Sequence, residues 1–459
     1  YFRNGAGVKI KIANVQLEID RDYPSSFVKP VAGESGRSTR SQNTEWKDLS
    51  GGGNNGTLTN GPVFNSKGYF EFDGTNDVVN FGDANDLDFG TNSFTVAALC
   101  YLDSADSETD YRNIISKKVG GGVQTGWTLR RQNTDKFSFF PADGSAREDA
   151  TEPTASPLDR WQFVLGMVDR ETNASRLYVG NQQVASNGFS SFGSVSSNAD
   201  LLIGSWGGNT DYYKGNIAKA WAYNKKLSDI EINQLYYGTP IVTDGLVFAV
   251  DAGNLVSYEN GSTIAYSMTG SYSGSLNNGT TYSNSNGGSF VFDGTNDFIE
   301  IDSDVTTTDG EYTLSAWLRP NGSSWGANSI PLYNTYGSKG FWHHIDENNV
   351  LRWRHDGSSY TVGDLSGVGL VADQWQLTTI TWDNTTLKLY KNGILQNSTT
   401  SPSGFTRSTG KPSIGKLATR TSGALYGWNG DIAPHHVYNK ALTHSEVLQN
   451  YNALKSRFI

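Results

Sequence analysis

Several aromatic side chains occur in segments rich in Gly, Ser and Asn, a setting in which aromatic rings can bind sugars. Ring faces stack on the apolar faces of pyranoses, while neighbouring amides and hydroxyls bond the sugar hydroxyls. Five residues fit this description: Trp206, Tyr212, Tyr213, Trp325 and Trp428. Packing between domains or chains explains each of these side chains equally well. The pattern therefore predicts glycan stacking and subunit packing as alternatives.

All six histidines occur in the C-terminal part of the chain, and five of them suggest a zinc site at first sight. They are His343, His344, His355, His435 and His436. A hairpin that turns at residues 346–349 would place His343 opposite Arg352. An arginine beside an imidazole disfavours a bound cation, so we expect these side chains to serve in packing or in glycan stacking.

These residues belong to a chain that repeats itself. The hexapeptide Phe-Asp-Gly-Thr-Asn-Asp at 72–77 recurs 220 residues later at 292–297. The pair Trp161 and Trp375 and the pair Tyr223 and Tyr438 keep nearly the same offset, with similar neighbours. A repeat of this length is a domain, because solenoid repeats have roughly 20 to 50 residues.

Length and composition indicate a multidomain β protein. The 459 residues include 52 Gly, with 12% aromatic and 18% charged residues, as expected for short strands joined by many turns. A net charge of −10 without a run of Lys and Arg argues against nucleic acid as a partner. No stretch approaches 18 apolar residues, so no membrane span is expected. The single cysteine, Cys100, excludes an intrachain disulfide and is expected to be a small buried apolar residue.

Short apolar runs bounded by Gly, Asn, Asp or Pro predict nine strands in the first repeat. They cover 69–72, 78–81, 94–102, 127–131, 136–140, 161–168, 176–179, 201–203 and 217–223. Only the repeat ends look helical: Ser228 and Thr443 each precede a Glu by three residues, the spacing of a capping box. A further strand at 245–253 begins the second repeat, and period-two alternation at 8–19 predicts a strand that pairs outside both repeats.

Both repeats resemble the laminin-G-like branch of the concanavalin A-like lectin and glucanase superfamily. Besides the repeated hexapeptide, the resemblance rests on an Asp-Leu-Ser-Gly opening at Asp48, the central Trp161 and Trp375, and Ile-Gly strand ends at 203–204 and 414–415. It implies an all-β fold of two tandem jelly-roll sandwiches, at 45–238 and 245–459, each closed by a short helix. Residues 1–44 would be an N-terminal strand segment and linker.

The resemblance also implies a calcium site. Members of this family often hold Ca²⁺ at the sheet rim with Asp residues from the opening and from Phe-Asp-Gly-x-x-Asp, together with further oxygens. Carried over to the first domain, the ligands would be Asp48, Asn54, Asn55, Asp73 and Asp77. Turn and cap roles for the same side chains are the alternative. The second domain lacks the Asp-Leu-Ser-Gly opening and is expected to bind Ca²⁺ less well.

Glucanases of this fold carry Glu-x-Asp-x-x-Glu on one strand, where it supplies the nucleophile and the acid. The nearest matches begin at Glu18 and Glu300, but their sixth positions are Tyr23 and Val305. We therefore expect a protein that is not an enzyme.

The segment from Asn14 to Glu18 resembles a strand of jelly-roll domains that precede such repeats in phage tail and fibre proteins. This implies a structural or adhesive protein on the virion surface, as a fibre, tail or capsid decoration. Its expected partners are glycans or a host surface, other virion subunits and further copies of itself. The alternatives are a secreted bacterial surface adhesin or filament subunit, and a polysaccharide-degrading enzyme or its accessory module.

Overall fold

The structure is a computed structural model of the chain. It describes residues 44–50, 52–104, 111–118, 120, 123–207, 210–303, 305, 310–322, 330–334, 341–345, 351–355, 369–400, 411–416 and 427–459, with backbone pairing only at 330–334, 341–345 and 351–355. The strand predicted at 8–19 and Trp325 lie outside these residues. The chain separates into two compact units, with the division between Ile232 and Asn233.

The first unit is built from strands. In chain order they are β1 (Glu45–Trp46), β2 (Gly56–Thr59), β3 (Val63–Asn65), β4 (Tyr69–Asp73), β5 (Val78–Asn80), β6 (Phe94–Leu102), β7 (Arg112–Lys118), β8 (Gly126–Arg131), β9 (Phe137–Ala142), β10 (Ala150–Thr151), β11 (Arg160–Asp169), β12 (Ala174–Val179), β13 (Gln182–Gly188), β14 (Leu202–Ile203) and β15 (Lys214–Tyr223). The helix α1 (Asp229–Tyr237) follows.

Two antiparallel sheets enclose the core of the first unit. Sheet 1 has the order β1-β2-β5-β14-β7-β8-β9-β10, and sheet 2 has the order β13-β12-β11-β6-β15-β4-β3. Their facing sides bury one apolar cluster, which includes Phe70, Phe94, Trp127, Leu129 and Phe139.

The second unit has a further fifteen strands among its described residues. They are β16 (Leu246–Val250), β17 (Ile264–Tyr266), β18 (Ser273–Asn277), β19 (Thr281–Ser283), β20 (Ser289–Asp293), β21 (Phe298–Ile301), β22 (Tyr312–Pro320), β23 (Ile330–Asn334), β24 (Phe341–Ile345), β25 (Leu351–His355), β26 (Gln376–Trp382), β27 (Thr386–Lys391), β28 (Ile394–Thr400), β29 (Ser413–Gly415) and β30 (Asn429–Tyr438). The helix α2 (His444–Phe458) closes the unit.

The second unit repeats the topology of the first. Sheet 3 has the order β17-β18-β21-β29-β23, which matches the first five strands of sheet 1. Sheet 4 has the order β28-β27-β26-β22-β30-β20-β19, which matches sheet 2 position by position, with β16 added beside β30. The predicted fold class, an all-β chain of tandem jelly-roll sandwiches with short closing helices, is therefore confirmed.

All nine strands predicted in the first repeat are present, within a few residues at each end. The structure adds β1, β2, β3, β7, β10 and β13, of which β7 matters most for the site described below. In the second unit, the hairpin of β24 and β25 pairs His343 with Trp353 and His344 with Arg352. The predicted pairing of His343 with Arg352 is thus wrong by one residue, because the connection between the strands has five residues instead of four.

The repeated hexapeptide is the corner where the chain passes from one sheet to the other. In the first unit it joins β4 of sheet 2 to β5 of sheet 1. Asp73 Oδ1 accepts hydrogen bonds from the amides of Thr75 (2.7 Å) and Asn76 (3.3 Å), and Asp77 Oδ2 accepts one from the amide of Asp73 (2.9 Å). The corner of the second unit has the same three bonds, at 2.7, 3.3 and 3.0 Å. The two carboxylates therefore satisfy backbone amides that a tight corner leaves without strand partners.

The same corner explains the Ile-Gly strand ends. Gly204 has φ +89°, and a Cβ atom there would lie 2.5 Å from the ring of Phe72. Gly415 has the same φ, and its Cβ would lie 2.4 Å from the ring of Phe292. Only glycine allows this close approach of backbone to ring. Two motifs far apart in the sequence are thus the two sides of one contact.

Both predicted capping boxes are present. Ser228 and Glu231 exchange hydrogen bonds at the start of α1, and Thr443 and Glu446 do so at the start of α2. Near the end of α2, Arg457 bonds both oxygens of the buried Asp251 at 2.6 and 2.9 Å. Its guanidinium also donates to backbone carbonyls at 286–288. None of the described residues forms a helix long and apolar enough to cross a membrane.

The landmark side chains are buried as the repeat alignment predicts. Trp161 and Trp375 lie in or beside the equivalent strands β11 and β26, and Tyr223 and Tyr438 end the equivalent strands β15 and β30. Cys100 lies in the core of the first unit, where burial raises the pKa of its thiol to about 12. The prediction that it acts as a small apolar residue is confirmed.

Arg457→Met is expected to lower the free energy of unfolding of the second unit by about 3 kcal/mol, because Asp251 stays buried without its partner. Arg457→Lys should lose nearly as much, since an ammonium group cannot reproduce the bidentate contact. Urea unfolding of the full chain measures both changes. Lys455→Met, an exposed position on the same helix, is the control and should change stability by less than about 0.5 kcal/mol. Equal losses for Arg457→Met and Lys455→Met would contradict this role of Arg457.

Candidate functional site

The predicted calcium ligands of the opening loop organise that loop. Asp48 accepts hydrogen bonds from the amides of Ser50 (2.8 Å) and Asn54 (3.0 Å), and Asn55 Oδ1 accepts one from the amide of Asp48 (3.0 Å). The side-chain amide of Asn54 donates to Asp86 Oδ2 at 3.2 Å. These side chains therefore act as turn caps, and Asn54 joins the loop to Asp86.

Asp73 and Asp77 lie at the other end of β2. The opening loop enters β2 at Gly56, whereas Asp77 precedes β5 beside Thr59, the last residue of β2. The five predicted ligands are therefore not brought together. Among the described residues, no group of three His, Cys, Asp or Glu side chains is placed to hold a metal ion. Calcium binding by the first unit stays a prediction.

The structure divides the aromatic residues predicted to bind sugar. Tyr213 and Trp428 are fully buried in the cores of their units, and the Tyr213 hydroxyl donates to the carbonyl of Tyr101 at 2.7 Å. Neither ring can stack on a sugar, so the prediction is wrong for these two residues. Trp206 and Tyr212 are half-buried, and the indole Nε1 of Trp206 donates to the carbonyl of Lys118 at 3.0 Å.

Trp206 borders a cluster of charged side chains on the side of sheet 1 that faces away from the core. In β8 and β9, the core residues Leu129 and Phe139 alternate with outward residues, among them Arg130 and Phe140. Three cations surround the ring of Phe140: its centroid lies 4.1 Å from Cζ of Arg130, 5.3 Å from Cζ of Arg147 and 6.0 Å from Nζ of Lys118. The cluster is held together by cation–π contacts.

Desolvation dominates the electrostatics of this cluster. Burial, assisted by the charge of Arg147, lowers the pKa of Lys118 to about 8. Burial also lowers the pKa of Arg130 to about 10, with Asp149 and Asp211 opposing the shift. For Asp149, burial raises the pKa although Arg147 and Arg130 act in the opposite direction. The charged groups are therefore held in a medium where their interactions are stronger than in water.

The accessible part of the cluster consists of Tyr111, Arg147 and Asp149. Tyr111 is 37% exposed, and its ring centroid lies 4.0 Å from Cζ of Arg130. The side chains of Arg147 and Asp149 are 39% and 28% exposed and form an ion pair at 2.8 Å. Within the described part of the chain, Asp149 Oδ1 is buried and accepts no hydrogen bond. An aromatic ring and a cation thus lie together at the surface, beside a carboxylate that is partly exposed.

The sequence pattern did not indicate this cluster, because β7, the strand that follows Tyr111 and contains Lys118, does not look like a strand in the sequence. Its residues Arg112 to Lys118 contain only two apolar side chains, and charged side chains occur on both of its faces. A usable signal was present in β9, where the apolar Phe140 stands at an outward position and interrupts the alternation.

The fold defines a class of protein with two similar antiparallel sandwiches, each followed by a short capped helix. Comparison with family sequence models supports this class. A laminin-G-type model of the concanavalin A-like lectin/glucanases superfamily matches residues 73–233 and 293–448. The chain belongs to this superfamily. No protein of curated function matches its sequence.

Solved structures with similarity to the chain include three from carbohydrate-active proteins. The CBM40 of the Ruminococcus gnavus IT-sialidase is 16% identical with a TM-score of 0.32, over 37% of this chain and 96% of that one. Domain 4 of AbnA, a GH43 extracellular arabinanase from Geobacillus stearothermophilus, in complex with arabinotriose, is 19% identical with a TM-score of 0.35, over 45% and 98%. Trypanosoma rangeli sialidase in complex with sialic acid is 12% identical with a TM-score of 0.38, over 87% and 62%. At these TM-scores the three structures do not define what this chain does.

The role of the corner carboxylates can be tested without metal. In buffer containing a chelator, Asp73→Ala and Asp293→Ala should each lower the free energy of unfolding of their unit by about 1–2 kcal/mol, because two backbone amides lose their acceptor. Urea unfolding of the full chain measures both. If Asp73 served mainly as a calcium ligand, Asp73→Ala would have little effect in the chelator.

Asp77 gives the complementary test. Burial raises the pKa of Asp77, although the hydrogen bond from the Asp73 amide opposes the shift; the charge of Asp73 adds to it. Folding therefore favours the protonated carboxyl, and this contribution to stability is lost as the pH rises through the folded pKa. Asp77→Asn keeps an acceptor oxygen and is expected to be as stable as the wild type, or more stable, at pH 7. A large loss of stability in chelator would contradict this account.

Proposed function

We propose that this chain is a non-enzymatic adhesive protein whose first unit binds glycans through Tyr111, Arg147 and Asp149. The observation that carries the proposal is their placement as one accessible group on the outer face of a sandwich that belongs to a lectin superfamily. Trp206 borders the same face through its bond to Lys118. Trp206, Tyr212 and Trp325 are the sequence-predicted residues that remain candidates for contact.

The chemistry of the three side chains suits a sugar. A pyranose presents apolar C–H faces and several hydroxyls, so it needs a ring to stack on, together with hydrogen-bond donors and acceptors. Tyr111 supplies the ring, Arg147 supplies donors, and the partly exposed carboxylate of Asp149 supplies an acceptor beside its ion pair with Arg147. Because Lys118, Arg130 and Phe140 are packed beneath them, these groups are held in place before a ligand arrives.

The absence of catalysis is also part of the proposal. Asp302, the middle residue of the nearest glucanase-like match, accepts hydrogen bonds from the amide (3.1 Å) and hydroxyl (2.8 Å) of Ser273. Val305, at the position where a second glutamate would stand, is fully buried. This segment therefore works as part of the sheet rather than as a pair of catalytic carboxylates.

The finer proposal places the protein on the surface of a phage particle, as a homo-oligomer in contact with other virion subunits and with host glycans. It is supported by the resemblance of the segment from Asn14 to Glu18 to strands of phage tail and fibre proteins.

A glycan array probed with the full chain tests the binding function. For the glycans that bind, Tyr111→Ala should weaken affinity about tenfold, because the stacking contact is lost. Tyr111→Phe, which keeps the ring, should restore most of the affinity. Arg147→Gln should also weaken binding, whereas Lys67→Gln, which removes the same charge at an exposed position in the turn between β3 and β4, should not. Binding that survives both Tyr111→Ala and Arg147→Gln would exclude this face, and the lack of binding to any glycan would contradict the function.

Location is tested separately by electron microscopy of native phage particles labelled with antibodies against the first unit. Label confined to fibres, tails or capsid exteriors is the expected result. Label on bacterial surfaces or filaments alone would overturn the finer proposal and leave the glycan-binding proposal standing.

A further inference from the structure

Lys117 is a buried lysine whose ammonium group is surrounded by oxygen atoms. Only 1% of its surface is exposed. Its Nζ lies 2.7 Å from Asp83 Oδ1, 2.8 Å from the carbonyl oxygen of Ser197 and 2.9 Å from that of Ala199. Asp88 Oδ1 lies 3.4 Å away. Two carboxylates and two backbone carbonyls thus point at one positively charged atom.

These oxygens come from two separate connections. Asp83 and Asp88 belong to the segment between β5 and β6, and Ser197 and Ala199 belong to the segment between β13 and β14. Within the described residues, neither carbonyl accepts a hydrogen bond from a backbone amide. The amide of Ser197 donates to Asp88 Oδ1 at 3.0 Å. The position of both connections therefore depends on the charge that β7 places between them.

This donor set is the one that a hard cation prefers. Ca²⁺ is bound by carboxylate and carbonyl oxygens, six to eight in number when waters are included. The ammonium of Lys117 supplies a single positive charge to two carboxylates, so a divalent ion would balance the charge of the site better. The space that an ion would need is filled by the lysine side chain itself.

We propose that Lys117 is the resident cation of a site that would otherwise bind Ca²⁺, so that the first unit orders these two connections without a metal. Among the residues that the structure describes, this arrangement occurs in the first unit.

The test compares two substitutions in the full chain by differential scanning calorimetry. Lys117→Ala empties the position, whereas Lys117→Met removes the charge but keeps the space filled. In chelator, both should lower the melting temperature of the first unit by about 10 °C. Addition of Ca²⁺ should return at least half of this loss in Lys117→Ala, beyond any shift that the wild type shows. Lys117→Met should not respond beyond the wild type, and Mg²⁺ should act less well than Ca²⁺ because it requires a tighter octahedral shell.

A second change links the response to this site. Asp83→Asn combined with Lys117→Ala should lose the response to Ca²⁺. If Lys117→Ala does not fold in chelator, its yield on refolding from urea replaces the melting temperature, and folding only in the presence of Ca²⁺ supports the proposal. No gain from Ca²⁺ in Lys117→Ala, an equal gain in Lys117→Met, or a gain that survives Asp83→Asn would overturn it.

Discussion

The corner between the two sheets is the constraint on which each sandwich depends. A chain that leaves one sheet and enters the other within four residues has several amides that no strand can satisfy. The Asp at the start of the corner accepts two of them and the Asp at its end accepts a third. The Phe before the corner packs against a glycine from a strand more than a hundred residues away. Because one hexapeptide must meet all these demands, both units contain it unchanged.

This constraint also explains the different roles of the acidic residues. Asp73 and Asp77 accept hydrogen bonds from backbone amides of the corner, and Asp48 accepts them from amides of the opening loop. These carboxylates therefore have a role in the fold that needs no metal. Asp83 and Asp88 instead face the ammonium of Lys117. Carboxylates at a sheet rim can therefore look like calcium ligands in sequence while they serve three separate parts of the fold.

Strand β7 connects the two features of the first unit that are relevant to function. Successive residues of a strand point to opposite faces. Lys117 therefore points toward the rim connections, and its neighbour Lys118 points to the outer face beside Phe140. Both side chains are buried, and each has oxygen partners within reach. A strand with this composition forms because oxygen atoms of the surrounding loops accept hydrogen bonds from its lysines. The lysines in turn order those loops.

The sequence by itself determined the features whose causes are local or repeated. These are the tandem domains, the nine strands predicted in the first repeat, the capping boxes at Ser228 and Thr443, and the importance of the hexapeptide. The tertiary structure alone decided which side chains are buried and which meet. Tyr213 and Trp428 lie in loop-like sequence yet are core residues, whereas Tyr111 and Arg147 carry no sequence signal yet share a surface. Lys117 meets partners 34 and 82 residues away. Such contacts depend on how distant strands pair. The side-chain pattern within one segment does not determine that pairing.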